Sequence, residues 1–114
     1  MSGFAVNPKV EIRPYCSEDQ SQVVVLWKVV FPDDPPWNDL VFVIRPKLTV
    51  QPKLFLVGHV HGRIVGTVVA GFDGVRGWIH RLAVHAEYRH KGIGTMLMRS
   101  VENYSLRLKA FLLL

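Results

Sequence analysis

The sequence predicts an α+β fold in which a central mixed sheet is flanked by helices, in the order β-α-(α)-β-β-β-α. Two observations support this: three β-rich runs follow one another, and amphipathic helical patterns lie before and after them. The 114 residues are 49% hydrophobic and 20% charged, which is typical of a globular protein. A chain of this length is expected to form a single domain over residues 1–114.

The N-terminal part predicts a strand followed by a helix. In the segment "KVEIRPY", Val10 and Ile12 alternate with charged neighbours, which is a strand pattern. Ser17 is expected to cap the helix, and Gln20 can complete a capping box with it. Apolar residues then recur at i, i+3, i+4 and i+7 on one helical face: Val23, Leu26, Trp27 and Val30. This pattern places Trp27 in the core.

The segment "FPDDPPWND" predicts a loop, because three prolines and three aspartates interrupt it. A short helix is expected from Asp39 to about Arg45, and Pro46 is expected to end it.

Three strands are predicted in the second half of the chain. Residues 54–60 and 63–71 form an antiparallel hairpin around the turn "HGR", and "WIHRLAV" (78–84) adds the third strand. A final helix is expected because apolar residues recur at helical spacing. They are Ile93, Leu97, Val101, Tyr104 and Leu108.

Gly92 and Gly94 lie where this final helix is expected to begin. Glycine disfavours a helix interior by about 1 kcal/mol relative to alanine, so both positions need a reason. One is that the first N–H groups of a helix can approach a phosphate when no side chain intervenes, with Arg89, His90 and Lys91 adding positive potential. The other is close packing of the helix on the sheet. The spacing matches neither a P-loop nor a dinucleotide-binding loop.

Charge and composition narrow the classes of function. The net charge of +5 favours an anionic partner or reflects a solvated surface. Aromatic and basic residues do not interleave on any one strand, so no nucleic-acid partner is expected. No apolar run reaches the roughly 18 residues of a membrane span, and the N-terminus lacks a signal-peptide pattern. We therefore expect no membrane partner and a cytoplasmic location.

Metal and thiol chemistry are not expected. Cys16 is the single cysteine, which excludes an intrachain disulfide and a thiolate metal cluster. His59 and His61 flank a hairpin turn without a third ligand, and solvated turn residues explain them.

The segment "LAVHAEYRHKGIGTMLM" (82–98) resembles motif A of the GNAT (Gcn5-related N-acetyltransferase) superfamily. That motif is a strand ending in hydrophobic-x-Val, followed by (Q/R)-x-x-G-x-(G/A), here "RHKGIG". The segment "VEIRPYCSEDQSQVVVLW" is similar to the family's first strand and helix, and "LFLVGHVHGRIVGTVVAGFDGVRGWIHRLAV" to its second to fourth strands. The resemblance spans residues 9–104 and extends to small bacterial acetyltransferases.

The resemblance implies an N-acetyltransferase that moves acetyl from acetyl-CoA to a primary amine by direct attack on the thioester. Backbone N–H groups of the glycine loop would hold the CoA pyrophosphate, and the pantetheine arm would pair with the fourth strand. The cofactor-binding residues implied are Leu82, Ala83, Val84, Arg89, His90, Lys91, Gly92, Ile93, Gly94 and Thr95. The N–H of Leu82 would stabilise the oxyanion.

The sequence assigns no catalytic side chain. His80 is expected to share a strand face with Leu82 and Val84, where it is either a general base or a packed strand histidine.

The sequence also leaves two interpretations for each candidate residue of the acceptor site. Asp33, Asp34 and Asp39 either bind a cationic amine or serve only as turn formers, and Trp37 either lines the acceptor pocket or is an ordinary loop residue.

The family's domains continue with further strands after motif A, whereas this chain ends at Leu114. The expectation is a GNAT-like domain whose C-terminal strands are missing, through truncation or a frameshift, or with a partner chain over its apolar end. A homodimer would supply such a partner. Two functions follow: an active transferase, or a non-catalytic CoA-binding remnant or interaction module.

Overall fold

The computed structural model describes residues 9–34, 39–73 and 75–112, and all of their side chains except those of residues 39–41 and 107–112. The elements are β1 (Glu11–Pro14), α1 (Gln20–Val30), α2 (Arg45–Val50), β2 (Phe55–Val60), β3 (Arg63–Phe72), β4 (Gly77–Val84) and α3 (Ile93–Leu112). Short 3-10 turns at Ser17–Asp19, Pro52–Leu54 and Ala86–Tyr88, and a π-helical segment at Asp39–Ile44, connect them.

The four strands form one sheet in the order β1-β2-β3-β4, and each neighbouring pair is antiparallel. α1 covers one face of the sheet and α3 covers the other. The predicted α+β class and the order of its elements are confirmed. The part of the sheet that the structure describes is antiparallel throughout.

The β2–β3 hairpin follows from its turn chemistry. Val60 pairs with Arg63, so His61 and Gly62 alone form the turn. Both have positive φ, 49° and 79°, as a type I′ turn requires at its two central positions. This turn matches the twist of the flanking strands and fixes their register.

Each face of the sheet buries its own apolar cluster, as the helical stripes predict. The buried members of the two stripes are Val23, Leu26 and Trp27 on α1, and Ile93, Leu97 and Val101 on α3. The indole N–H of the fully buried Trp27 donates to Thr67 Oγ1 at 2.8 Å. The expected core position of Trp27 is confirmed.

The start of α1 differs from the prediction. Ser17 opens a 3-10 turn, and the α-helix begins at Gln20. Asp19 Oδ2 accepts the N–H of Cys16 at 2.9 Å, and Arg13 donates to both carboxylate oxygens at 2.7 and 2.8 Å. Burial opposes the charge of Asp19, but these hydrogen bonds outweigh it and lower its pKa. Cys16 and Asp19 thus form the capping box, one residue earlier in the chain than the predicted pair of Ser17 and Gln20.

Pro46 does not end the second helix, contrary to the prediction. The π-helical segment Asp39–Ile44 runs directly into α2, and Pro46 lies in the first turn of α2. An α-helix leaves the N–H groups of its first turn unpaired, so a proline costs little there. The helix therefore continues to Val50.

Candidate functional site

β4 is the outer strand of the sheet, and its far edge has no strand partner within the described residues. The N–H of His85 donates to Val65 O at 2.8 Å, in continuation of the β3–β4 register. Because N–H groups alternate in direction along a strand, those of Leu82 and Val84 point away from β3. The Leu82 N–H singled out by the sequence therefore lies on the open edge.

The loop after β4 leads into α3 with two residues in the left-handed region. His90 has a φ of 65° and Gly92 a φ of 80°, a conformation that favours glycine. The N–H of Met96 makes the first helical hydrogen bond, to Gly92 O at 3.0 Å. The three N–H groups before it, at residues 93–95, have no carbonyl partner in the helix and form the positive end of its dipole.

An open cavity of about 280 Å³ lies over this helix start. Its lining residues are Val84, Tyr88, Arg89, His90, Gly92, Ile93, Gly94 and Thr95. Seven of these are among the ten predicted cofactor-binding residues. Of the other three, Lys91 is an exposed neighbour in the same loop, Leu82 lies on the open edge of β4, and Ala83 is buried under α1.

At Gly94, the space around the backbone distinguishes close approach of a phosphate from close packing of the helix on the sheet. A Cβ built there would meet only Leu82 Cδ2, at 4.0 Å, which is ordinary van der Waals contact. Packing of α3 on the sheet instead requires Gly66 of β3, where a Cβ would lie 3.0 Å from Ile93 Cγ2 and 3.1 Å from Leu97 Cδ1. Close packing therefore explains Gly66 and leaves Gly94 without a packing role.

Arg89 fixes the geometry of the loop. Its Nε donates to Val84 O at 3.1 Å, which ties the loop back to the end of β4. Arg89, His90 and Lys91 are all exposed, so the charges of Arg89 and Lys91 reach the solvent in front of the helix start.

His80 does not share a face with Leu82 and Val84, contrary to the prediction. The register of β4 shifts by one residue, so that consecutive β3 residues pair with Ile79 and Arg81 and His80 is the extra residue of a β-bulge. A bulge breaks the alternation of side chains. His80 lines a cavity beside α2, whereas Leu82 points toward Gly94 at the start of α3.

This second cavity has a volume of about 460 Å³ and lies between α2, β3 and the first half of β4. Its lining includes Phe42, Lys47, Val50, Phe72, Trp78, His80 and Arg81. Among the side chains that the structure describes, no carboxylate lines it. Sequence reasoning missed Phe42, Lys47 and Trp78, because nothing in their spacing links them.

The polar groups of this cavity influence one another. Burial, and secondly the positive charge of Lys47, lower the pKa of His80. Burial also lowers the pKa of Lys47. The indole N–H of Trp78 donates to His80 Nε2, so in this arrangement the neutral imidazole carries its proton on Nδ1.

Asp34 is held by an ion pair at the edge of the same region. Arg81 Nη2 donates to Asp34 Oδ2 at 2.6 Å, and the guanidinium lies over the rings of Trp27 and Phe31, at 4.7 and 4.8 Å from their centroids. Asp34 thus accepts from a cation of its own chain. Asp33 is exposed.

The remaining candidates add no site. His59 Nε2 lies 3.7 Å from Glu11 Oε2, and His61 occupies the hairpin turn. In the described part of the chain, no three His, Cys, Asp or Glu side chains are grouped as a metal site would require. None of the described helices is long and apolar enough to cross a membrane. Trp37 and the side chain of Asp39 lie outside the described residues.

Comparison with protein families and curated proteins identifies the class of protein. The model of the acetyltransferase (GNAT) family matches residues 17–113. An acetyltransferase of Yersinia pestis is 41% identical over 95 residues, which are 82% of this chain and 65% of that protein. An acetyltransferase of Yersinia pseudotuberculosis matches with the same figures. The chain belongs to the GNAT acetyltransferase family, and it spans 65% of the length of these relatives.

Solved structures share the fold. Ard1 from Thermoplasma volcanium matches with a TM-score of 0.74 and 20% identity, over 88% of this chain and 66% of that one. Naa50 from Arabidopsis thaliana, in complex with the bisubstrate analogue CoA-Ac-MVNAL, matches with a TM-score of 0.67 and 22% identity, over 83% and 63% of the two chains. At these identities the similarity is one of fold.

Proposed function

We propose that residues 1–114 form a single GNAT domain that binds acetyl-CoA and transfers its acetyl group to a primary amine. The observation that carries this proposal is the helix start after β4, where unpaired N–H groups, a left-handed Gly92 and a basic tripeptide surround one cavity. Membership of the family supports it, as does the CoA analogue in the complex of Naa50.

In this proposal the CoA pyrophosphate lies against the N–H groups of residues 93–95, where the absence of a side chain at Gly94 permits close approach. The exposed residues 89–91 add positive potential. The pantetheine arm pairs with the open edge of β4, where the N–H groups of Leu82 and Val84 point outward. Ala83, between them, faces the α1 side of the core.

The transfer step needs no covalent enzyme intermediate. The amine nitrogen attacks the carbonyl carbon of the thioester, a C–N bond forms, and the C–S bond breaks so that CoA leaves as a thiolate. The nitrogen loses one proton to a base, and the thiolate takes up one proton. The N–H of Leu82 donates to the oxyanion of the tetrahedral intermediate.

His80 is the side chain proposed as the base. Its lowered pKa keeps it neutral near pH 7, as a base must be. Its Nε2 accepts the indole N–H of Trp78, so Trp78 must turn away before Nε2 can take a proton. Replacement of Trp78 by Phe separates its hydrogen bond to His80 from its role as a cavity wall, since Phe leaves Nε2 free and keeps an aromatic ring.

Calorimetric titration with acetyl-CoA, followed by thiol release with a panel of primary amines, tests the proposal. Binding and amine-dependent release of CoA are expected. Binding without release with any amine would favour the alternative of a non-catalytic CoA-binding module. Absence of binding would reject both functions.

A homodimer along the open edge of β4 is proposed for the chain without CoA, because a second chain and the pantetheine arm would occupy the same edge. Trp78, Ile79 and Leu82 on this strand are 42%, 38% and 39% exposed, and an unpaired edge with apolar side chains invites a second chain. Light scattering at several concentrations is expected to give the mass of a dimer. A monomer at every concentration would contradict this part of the proposal.

A further inference from the structure

The cavity of about 460 Å³ beside the first half of β4 has a charge that the transfer reaction alone does not require. We infer that the acceptor amine is a small molecule that also carries a carboxylate and an apolar body the size of an aromatic ring. This inference rests on the proposed acetyl transfer and specifies its acceptor.

The charge of the cavity favours an anionic group on the acceptor. Lys47 and Arg81 line the cavity, and Arg81 is already paired with Asp34. Lys47 is half-buried, and no described carboxylate lies within ion-pair distance of its ammonium group. A cation that has lost part of its hydration without gaining a partner favours an anionic ligand. One unpaired ammonium group matches one carboxylate.

The shape and polarity of the cavity walls favour an apolar body on the acceptor. Phe42, Val50, Phe72 and Trp78 give the cavity an apolar lining, and its volume lies within the range of small-molecule sites. Phe42 and Trp78 are 70% and 42% exposed, so their rings can cover a ligand that enters from solvent. A ring-sized apolar body fits such walls, and a strongly hydrated polycation does not.

The cavity and the proposed thioester position lie close together along one strand. His80 lies in the cavity, and Leu82, two residues further along β4, carries the N–H proposed to face the thioester. Two residues of extended chain span about 7 Å. An acceptor of that length can place its amine at the thioester and its carboxylate near Lys47.

The acidic residues of the proline-rich loop do not give the cavity a preference for a cationic acceptor. Asp34 accepts from Arg81 at 2.6 Å, so its charge is matched within the chain. A cationic acceptor held by Asp34 would have to displace that guanidinium from the rings of Trp27 and Phe31.

Two matched pairs of amines test the inference by calorimetric titration in the presence of CoA, which cannot turn over. In each pair one member lacks the carboxylate: 4-(2-aminoethyl)benzoate against 2-phenylethylamine, and 4-(aminomethyl)benzoate against benzylamine. We expect the carboxylate member of at least one pair to bind about tenfold more tightly. Equal or weaker binding of the carboxylate members in both pairs, or no binding of any of the four, would overturn the inference.

Lys47→Gln is expected to remove this preference, and Lys47→Glu to reverse it. Lys53→Gln is the matched control, because Lys53 is exposed and outside the cavity. A preference that survives both Lys47 variants would also reject the inference. CoA binding by the parent chain is measured separately, so a failed CoA site and a wrongly assigned acceptor give different results.

Discussion

The loop after β4 and the cavity beside the start of β4 lie on the same strand, yet they are built differently. The cavity over the loop is lined by residues of one continuous segment, 84–95, and most of the groups proposed to bind there are backbone N–H groups. The cavity beside the start of β4 takes its groups from three separate segments, 42–51, 69–72 and 78–81, and they are side chains. Binding at the loop should therefore be sensitive to added side-chain bulk, and binding in the cavity should be sensitive to changes in side-chain charge.

The largest effect is expected from Gly94→Val, which should weaken acetyl-CoA binding about a hundredfold. The new side chain would stand between the helix start and the pyrophosphate. The fold should tolerate it, because a Cβ at Gly94 meets only Leu82 Cδ2, at 4.0 Å, and valine costs a helix less than glycine does. Calorimetry measures the affinity, and thermal unfolding measures the stability.

Gly58→Val is the matched control for bulk at a glycine. Its Cβ would lie 3.0 and 3.4 Å from side-chain atoms of Ile12 and Val10, so overpacking should destabilise the fold by about 1–3 kcal/mol. Gly58 lies on β2, which β3 separates from β4, so the affinity of the folded fraction for acetyl-CoA should stay within about twofold of the parent. If Gly94→Val binds like the parent, the assignment of the loop is wrong.

A smaller, partial effect is expected from salt. Acetyl-CoA affinity should fall several-fold between low and high ionic strength, because exposed charges at residues 89–91 are screened beyond about 8 Å at physiological salt. Contacts to backbone N–H groups should persist. Lys91→Gln should flatten the salt dependence, and Lys28→Gln, at an exposed position on α1, should not. An affinity that does not respond to salt would assign the basic tripeptide a structural role only.

The smallest effect concerns the pKa of His80. Burial and then the charge of Lys47 hold this pKa below its ordinary value of 6.5. Loss of the cation in Lys47→Gln should therefore raise the pKa of His80, while burial keeps it below the ordinary value. The imidazole protonates only as the pH falls through its pKa, so the parent stays neutral to a lower pH than the variant. An NMR titration of His80 that gives the same pKa in Lys47→Gln and in Lys53→Gln would contradict this coupling.

Sequence patterns predicted the fold correctly where a single local pattern, such as helical spacing or a turn dipeptide, determines the structure. Apolar residues at helical spacing predicted the buried faces of α1 and α3, and His61-Gly62 predicted the hairpin turn. The predictions were wrong where two local rules competed. The capping box forms between Cys16 and Asp19 instead of Ser17 and Gln20, and Arg13, six residues before Asp19, supplies a charged partner that holds its carboxylate in place. Pro46 did not stop a helix because it lies in a first turn.

The sequence by itself determined the family and the order of the elements, and it predicted an anion-binding loop after β4, because these depend on residues close together in the chain. Tertiary structure decided the rest. The bulge at His80 turned this side chain away from the face of Leu82, and the sheet brought Lys47, Phe72 and Trp78 around one cavity. Spacing along the chain carries no information about such contacts, because pairing of strands and packing of helices set the distances between segments.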